Sequence, residues 1–167
     1  MGFRKIEPTE IQDNVLRLLN ENWALLTAGT QEKFNTMTIS SGAMGNMFRK
    51  NVFYVYIRPD RYTKEFVDAS DCFTVSFFAP EYKPQLTICG RKSGRDTDKI
   101  AECGFTPAFA DCGAPYFEEA NLVIVCRKIY KEETDPAGFI DEGISAWYPR
   151  KDYHTAYAGE IIEVLTK

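Results

Sequence analysis

Apolar residues recur along this chain mostly at the spacing of strands. NVFYVYIRP (51–59) is β-branched and aromatic throughout, the pattern of a strand buried on both faces and stopped by Pro59. DCFTVSFF (71–78) alternates Phe73, Val75 and Phe77 against Thr74, Ser76 and Phe78. ANLVIVCRKIYKEE (120–133) predicts a long strand, polar at its far end, and YAGEIIEVLTK (157–167) a last one. WALLTAG (23–29) is a compact apolar run that TQEK turns into FNTMTISS (34–41), so the pair predicts an antiparallel hairpin.

Between these runs the period lengthens. Pro8 to Asn20 spaces Ile11, Val15, Leu16, Leu18 and Leu19 as a short helix packed on the core. RYTKEFVDAS (61–70) places Tyr62, Phe66 and Ala69 on one helical face. From Ala79 to Pro107 the chain is helical and loop-like: Pro80 and Pro84 break any strand, and DTDKIAECG reads as one helical unit ending at Gly104. Ser93 and Asp96 have the spacing of a helix-capping pair. About six strands with short inserted helices, and no alternating strand–helix rhythm, predict a mainly β fold, an antiparallel barrel in one domain covering 1–167.

FNTMTISS puts Phe34, Thr36, Thr38 and Ser40 on one face and Asn35, Met37, Ile39 and Ser41 on the other. The first face, hydroxyls after one ring, suits a polar ligand. GAMG (42–45) follows as a glycine-punctuated loop.

Composition narrows the classes. A formal charge of −4 argues against a nucleic-acid surface, which needs concentrated Lys and Arg. No apolar run approaches the roughly 20 residues of a spanning helix, and the N-terminal stretch lacks a signal-peptide core, so no membrane partner is expected. Five cysteines at irregular spacing, with one histidine, predict neither a zinc site nor a disulfide framework, but buried thiols in a reducing cytoplasm. Familiar catalytic patterns are missing: GRKSGRD is not a nucleophile elbow, no Walker A sequence occurs, and GAMG lacks the third glycine of a dinucleotide fingerprint.

Phosphate-binding chemistry is nonetheless concentrated in this acidic chain. RPDRYT (58–63) supplies Arg58, Arg61, Tyr62 and Thr63; GRKSGRDTDK (90–99) supplies Arg91, Lys92, Ser93, Arg95 and Lys99 around Gly94. Arginine offers planar bidentate donors, hydroxyls add more, and a glycine lets backbone N–H groups approach an anion.

In order along the chain, W-x-L-L-T-A-G, F-N-T-M-T, I-R-P-x-R-Y-T, F-T-V-S-F-F, S-G-R-D-x-D-K and the closing Y-x-G-E-I resemble the flavin reductase-like family, the FMN-binding split β-barrel proteins that include flavoredoxin. The resemblance runs from about Trp23 to Ile161. It implies a six-stranded antiparallel split barrel, a homodimer, and one FMN near each subunit interface. It implies that Asn35, Thr36, Met37, Thr38, Ser40 and Ser41 line the flavin. Arg58, Arg61, Tyr62 and Thr63 would surround its phosphate and ribityl chain, and Lys92, Ser93 and Arg95 would complete the pocket. His154 falls where the family often places a histidine, and protonated it would stabilise reduced flavin. Relatives commonly carry a tryptophan directly after the strand's serine; here Ser41-Gly42-Ala43 stands instead, which opens space on one side of the flavin or makes Met44, Met47 or Phe48 its wall. The implied activity is cytoplasmic hydride transfer from NAD(P)H to flavin and on to a small-molecule acceptor or redox partner, with no side chain acting as a nucleophile. The alternatives are an electron carrier reduced by a protein partner and a non-flavin split-barrel binding module.

Overall fold

In the computed structural model, which describes residues 2–167, the alternating stretches become strands of one antiparallel sheet. In chain order the elements are β1 (Arg4–Ile6), α1 (Val15–Arg17), β2 (Ala24–Gly29), β3 (Phe34–Ile39), β4 (Ala43–Met47), β5 (Lys50–Ile57), α2 (Tyr62–Ala69), β6 (Cys72–Phe77), α3 (Lys83–Arg91), α4 (Lys99–Cys103), β7 (Pro107–Phe109), β8 (Pro115–Phe117), β9 (Leu122–Glu133) and β10 (Thr155–Thr166). The sheet runs β3-β2-β6-β9-β10-β5-β4, with β1 added on β10 and β7-β8 forming a separate ribbon. β3 and β4 end the path without pairing with each other, so the barrel is open.

Strand alternation sorts the core into two layers. Leu26, Phe53, Val75, Ile124 and Tyr157 fill the barrel interior, while Leu25, Leu86, Phe105, Phe117 and Val123 pack outside it beneath α3, α4 and the ribbon. The long strands β9 and β10 carry the register, from Thr166 opposite Leu122 to Thr155 opposite Glu133, with bulges at Ala158/Gly159 and Ile161/Glu163. Gly159 has no alternative in this packing. A Cβ there would lie 2.5 Å from the Cβ of Cys126 and 2.6 Å from Cζ of Phe73.

The predicted β2-β3 hairpin forms with Thr27 opposite Thr36. The N-terminal helix is much shorter than predicted: Asn14 caps the chain from Leu16 N at 3.0 Å, so α1 starts at Val15 and continues as a π turn over Leu18–Asn22. The Ser93 hydroxyl accepts from Arg95 N in a tight turn, and Asp98 is the cap that starts α4, which Gly104 ends at φ 68°. The glycine loop is a strand. β4 pairs with β5 through a two-residue turn in which Phe48 and Arg49 both take positive φ, the geometry of a tight hairpin. β5 is fully buried on the Phe53, Val55 and Ile57 face; on the other, Val52 is buried too, but Tyr54 and Tyr56 stack partly exposed. All five cysteines are free thiols; Cys89 and Cys126 are buried, whereas Cys112 is exposed, against the buried expectation.

Candidate functional site

β3 ends at one mouth of the open barrel, and two adjoining cavities follow it. The first, about 210 Å³, is lined by Met37, Thr38, Ile39, Ser40, Ser41, Tyr56, Arg58, Arg61 and His154. The second, about 110 Å³, is lined by Asn35, Met37, Asp60, Arg61, Tyr62, Thr63, Arg91, Lys92, Ser93, Gly94 and Lys99. Met37 and Arg61 belong to both, so the two read as one groove along β3.

Pro59 ends β5 and the chain turns into α2 with Arg61 at its N-cap, which aims the guanidinium across the groove at the end of α3. Both terminal nitrogens of Arg61 donate to the Gly90 carbonyl at 3.1 Å. Gly90 must be small there, since a Cβ would lie 3.2 Å from Thr38 Cβ where α3 crosses β3. From the first residue of α4, Lys99, 3% exposed, reaches the same helix end: its ammonium donates to the carbonyls of Cys89 at 2.9 Å and Lys92 at 3.0 Å. Neither cation has a carboxylate in salt-bridge contact among the described residues. Burial holds both below their ordinary proton affinity, with Asp60 partly opposing this at Arg61. One buried and one half-buried cation, held only by carbonyls, leave positive potential in the groove, which an anion would neutralise.

Of the other predicted cations, Arg91 lines the second cavity, exposed and with no carboxylate in salt-bridge contact among the described residues, and the rest are already partnered. Arg58 bonds Asp152 at 2.8 Å and the Trp147 carbonyl at 2.8 Å, and lies 4.9 Å above the Tyr148 ring. Lys92 pairs with Glu102 and Arg95 with Glu65, Arg95 also covering the Tyr62 ring at 4.5 Å. Arg95 therefore lines neither cavity; it borders a broader cleft on the far side of Gly94.

The hydroxyl face of β3 is divided: Thr38 and Ser40 border the first cavity, whereas Thr36, expected to line the ligand, is spent on packing. Thr36 is fully buried; its hydroxyl lies 2.9 Å from that of Thr27 and donates to the Leu26 carbonyl at 3.2 Å, so it reaches neither cavity. The Thr38 hydroxyl donates to the Leu86 carbonyl, although the residue still borders the first cavity. Asn35 donates to the Thr63 hydroxyl at 2.9 Å and presses on the 90–99 loop, where any Cβ on Gly94 would meet its Oδ1 at 2.2 Å. Met37, Ser40, Ser41, Tyr62, Thr63, Ser93 and His154 line the groove. Met44 packs on the barrel core while Met47 and Phe48 are exposed at the hairpin tip, so none of the three walls either cavity.

His154 lies at the rim with Nδ1 2.6 Å from the Tyr148 hydroxyl. Burial, then the charge of Arg58, lowers its proton affinity and outweighs the opposing Asp152. This disfavours the protonated form that would stabilise reduced flavin. Sequence reading does not single out Tyr56 or Asp60, and gives Arg91 and Lys99 no more weight than their neighbours. Lys99 could not be singled out, because its burial comes from the packing of α3 against α4.

The domain model described as "Flavin reductase like domain" matches residues 16–167. This chain belongs to the flavin reductase-like family. Among solved structures it is similar to an FMN-binding domain of a flavin reductases-like enzyme from Shewanella baltica OS155, at 18% identity and TM-score 0.71 over 99% of this chain and 77% of that one. It is also similar to the flavoredoxins of Desulfovibrio vulgaris (Miyazaki F) and Methanosarcina acetivorans. Each is 22% identical over 87% of this chain; 69% and 68% of those chains are covered, with TM-scores 0.70 and 0.68. No curated protein matches the chain. The family and the split-barrel fold agree with the resemblance carried by the motifs.

Proposed function

We propose that the groove along β3 holds FMN and that the protein is an oxidoreductase drawing electrons from a nicotinamide cofactor. The observation that carries this reading is the pair Arg61 and Lys99, two cations held only by backbone carbonyls on one cavity, which the exposed Arg91 also lines, in a flavin reductase-like domain. They hold the phosphate, Ser93 adds a hydroxyl, and the absence of a Cβ on Gly94 keeps the loop against Asn35. Met37 separates the phosphate end from the first cavity, where Ser40, Ser41 and Tyr56 offer polar contacts to the ring end. Bound flavin supplies hydride acceptance and electron transfer, while the protein binds, orients and screens it.

The acceptor is a small molecule or redox partner entering at the first cavity. The working unit is a homodimer, supported by exposed apolar side chains at Met47, Phe48 and Tyr130, of which the last two rings lie 5.8 Å apart. Anaerobic addition of NADH or NADPH to the FMN-loaded protein tests the reductase reading. Rapid loss of the flavin's visible absorbance is expected. A stable yellow spectrum with both donors contradicts it and leaves an electron carrier.

A further inference from the structure

The imidazole at the rim of the first cavity belongs to a feature that the anion chemistry of the groove does not use. His154 is the chain's single histidine. Its Nδ1 is bonded to Tyr148, and its other ring nitrogen has no hydrogen-bond partner among the described residues. Tyr148 is itself tightly held: its ring stacks on Phe139 at 5.9 Å, packs on Tyr153 at 5.0 Å, and lies beneath the Arg58 guanidinium. Asp152 and the Trp147 carbonyl fix Arg58 in turn. The hydroxyl therefore meets Nδ1 from a packed strap between β9 and β10, not from a free side chain.

A phenol O–H is a better donor than a neutral imidazole N–H, and an imidazole nitrogen a better acceptor than a phenol oxygen. The proton of this contact therefore sits on Tyr148, and the ring's own proton on the opposite nitrogen. We propose that Tyr148 is a positioning residue that holds His154 as the neutral Nε2–H tautomer, so that the first cavity receives an uncharged hydrogen-bond donor suited to the carbonyl oxygen of a neutral substrate. The tautomer stands on geometry alone; only its use by a substrate rests on the cavity being a ligand site.

The charged and titratable surroundings agree. Arg58 and Arg61, from the β5–α2 connection, share the cavity with Tyr56 of β5 and disfavour an imidazolium. Asp152 favours one, but its Oδ2 is engaged by both Arg58 and Arg150. On the β9 side the contact is uncharged, Thr134 N donating to the His154 carbonyl at 3.0 Å.

Long-range ¹H–¹⁵N NMR of uniformly labelled protein reads this directly, because a single imidazole gives a single pair of ring nitrogens. At neutral pH the wild type shows the Nε2–H pattern and a pKa below the usual value of about 6.5. Tyr148→Phe keeps the ring stacking but shows a mixture of tautomers and a raised pKa. An Nδ1–H pattern in the wild type, or an unchanged spectrum in Tyr148→Phe, overturns the tautomer assignment. Nicotinamide, a neutral carboxamide, then serves as the probe: a saturable shift of the Nε2 signal is expected, and no shift overturns the carbonyl role. Neither result depends on flavin, so loss of FMN binding would count against the proposed function and not against this pair.

Discussion

Arg61 and Lys99 make the groove electrostatically incomplete, whereas Arg58, Lys92 and Arg95 are close to neutralised by Asp152, Glu102 and Glu65. The neutral histidine gives a pH dependence of its own. Its folded-state proton affinity is lowered, so below its unfolded value of about 6.5 the unfolded chain binds the extra proton and stability falls on acidification. A melting temperature that declines as pH drops from 7 to about 5.5 is expected, with a shallower decline in His154→Gln. An identical decline in that variant would remove His154 as the cause. A second loss belongs to lower pH. Burial raises the Asp68 carboxyl, but hydrogen bonds from Lys64, Tyr157 and Lys131 outweigh it and bring it to about 2, so its contribution disappears as pH falls from about 3.8 towards 2.

At the scale of elements, a tight constraint falls at Gly159, where β10 bulges against β9 inside the barrel. Gly159→Ala forces a methyl into Cys126 and Phe73, and overpacking of this kind costs roughly 1–3 kcal/mol, measurable as a lowered denaturation midpoint. A midpoint within error of wild type would show that the bulge relaxes freely. The long strands were legible because β-branched runs such as that from Val123 to Val125 can pack on both faces. β4 was not, since AMGNM carries no alternating pattern and is set by pairing with β5. In the site, clustering placed Arg61, Tyr62 and Ser93 on one groove but could not show that Thr36 faces Thr27 or that Glu65 captures Arg95. Partner identity is set by strand register for Thr27 and Thr36 and by tertiary packing for Glu65 and Arg95, which lie 30 residues apart.

For the whole molecule, the open edge at β4 and the exposed Phe48 and Tyr130 support the proposed dimer. Sedimentation at micromolar concentration should give a dimer, and Phe48→Glu should shift it towards monomer; a wild-type monomer would rule the dimer out. The central claim, that Arg61 and Lys99 make the groove a phosphate-anchored flavin site, is tested most directly by titrating FMN and riboflavin into wild type and Arg61→Gln. A charge-assisted contact contributes about 1.5–3 kcal/mol, so wild type should bind FMN at least about tenfold more tightly than riboflavin. Arg61→Gln should lose most of that preference while keeping its affinity for riboflavin. Equal affinities in wild type, or an unchanged preference in the variant, would contradict the account.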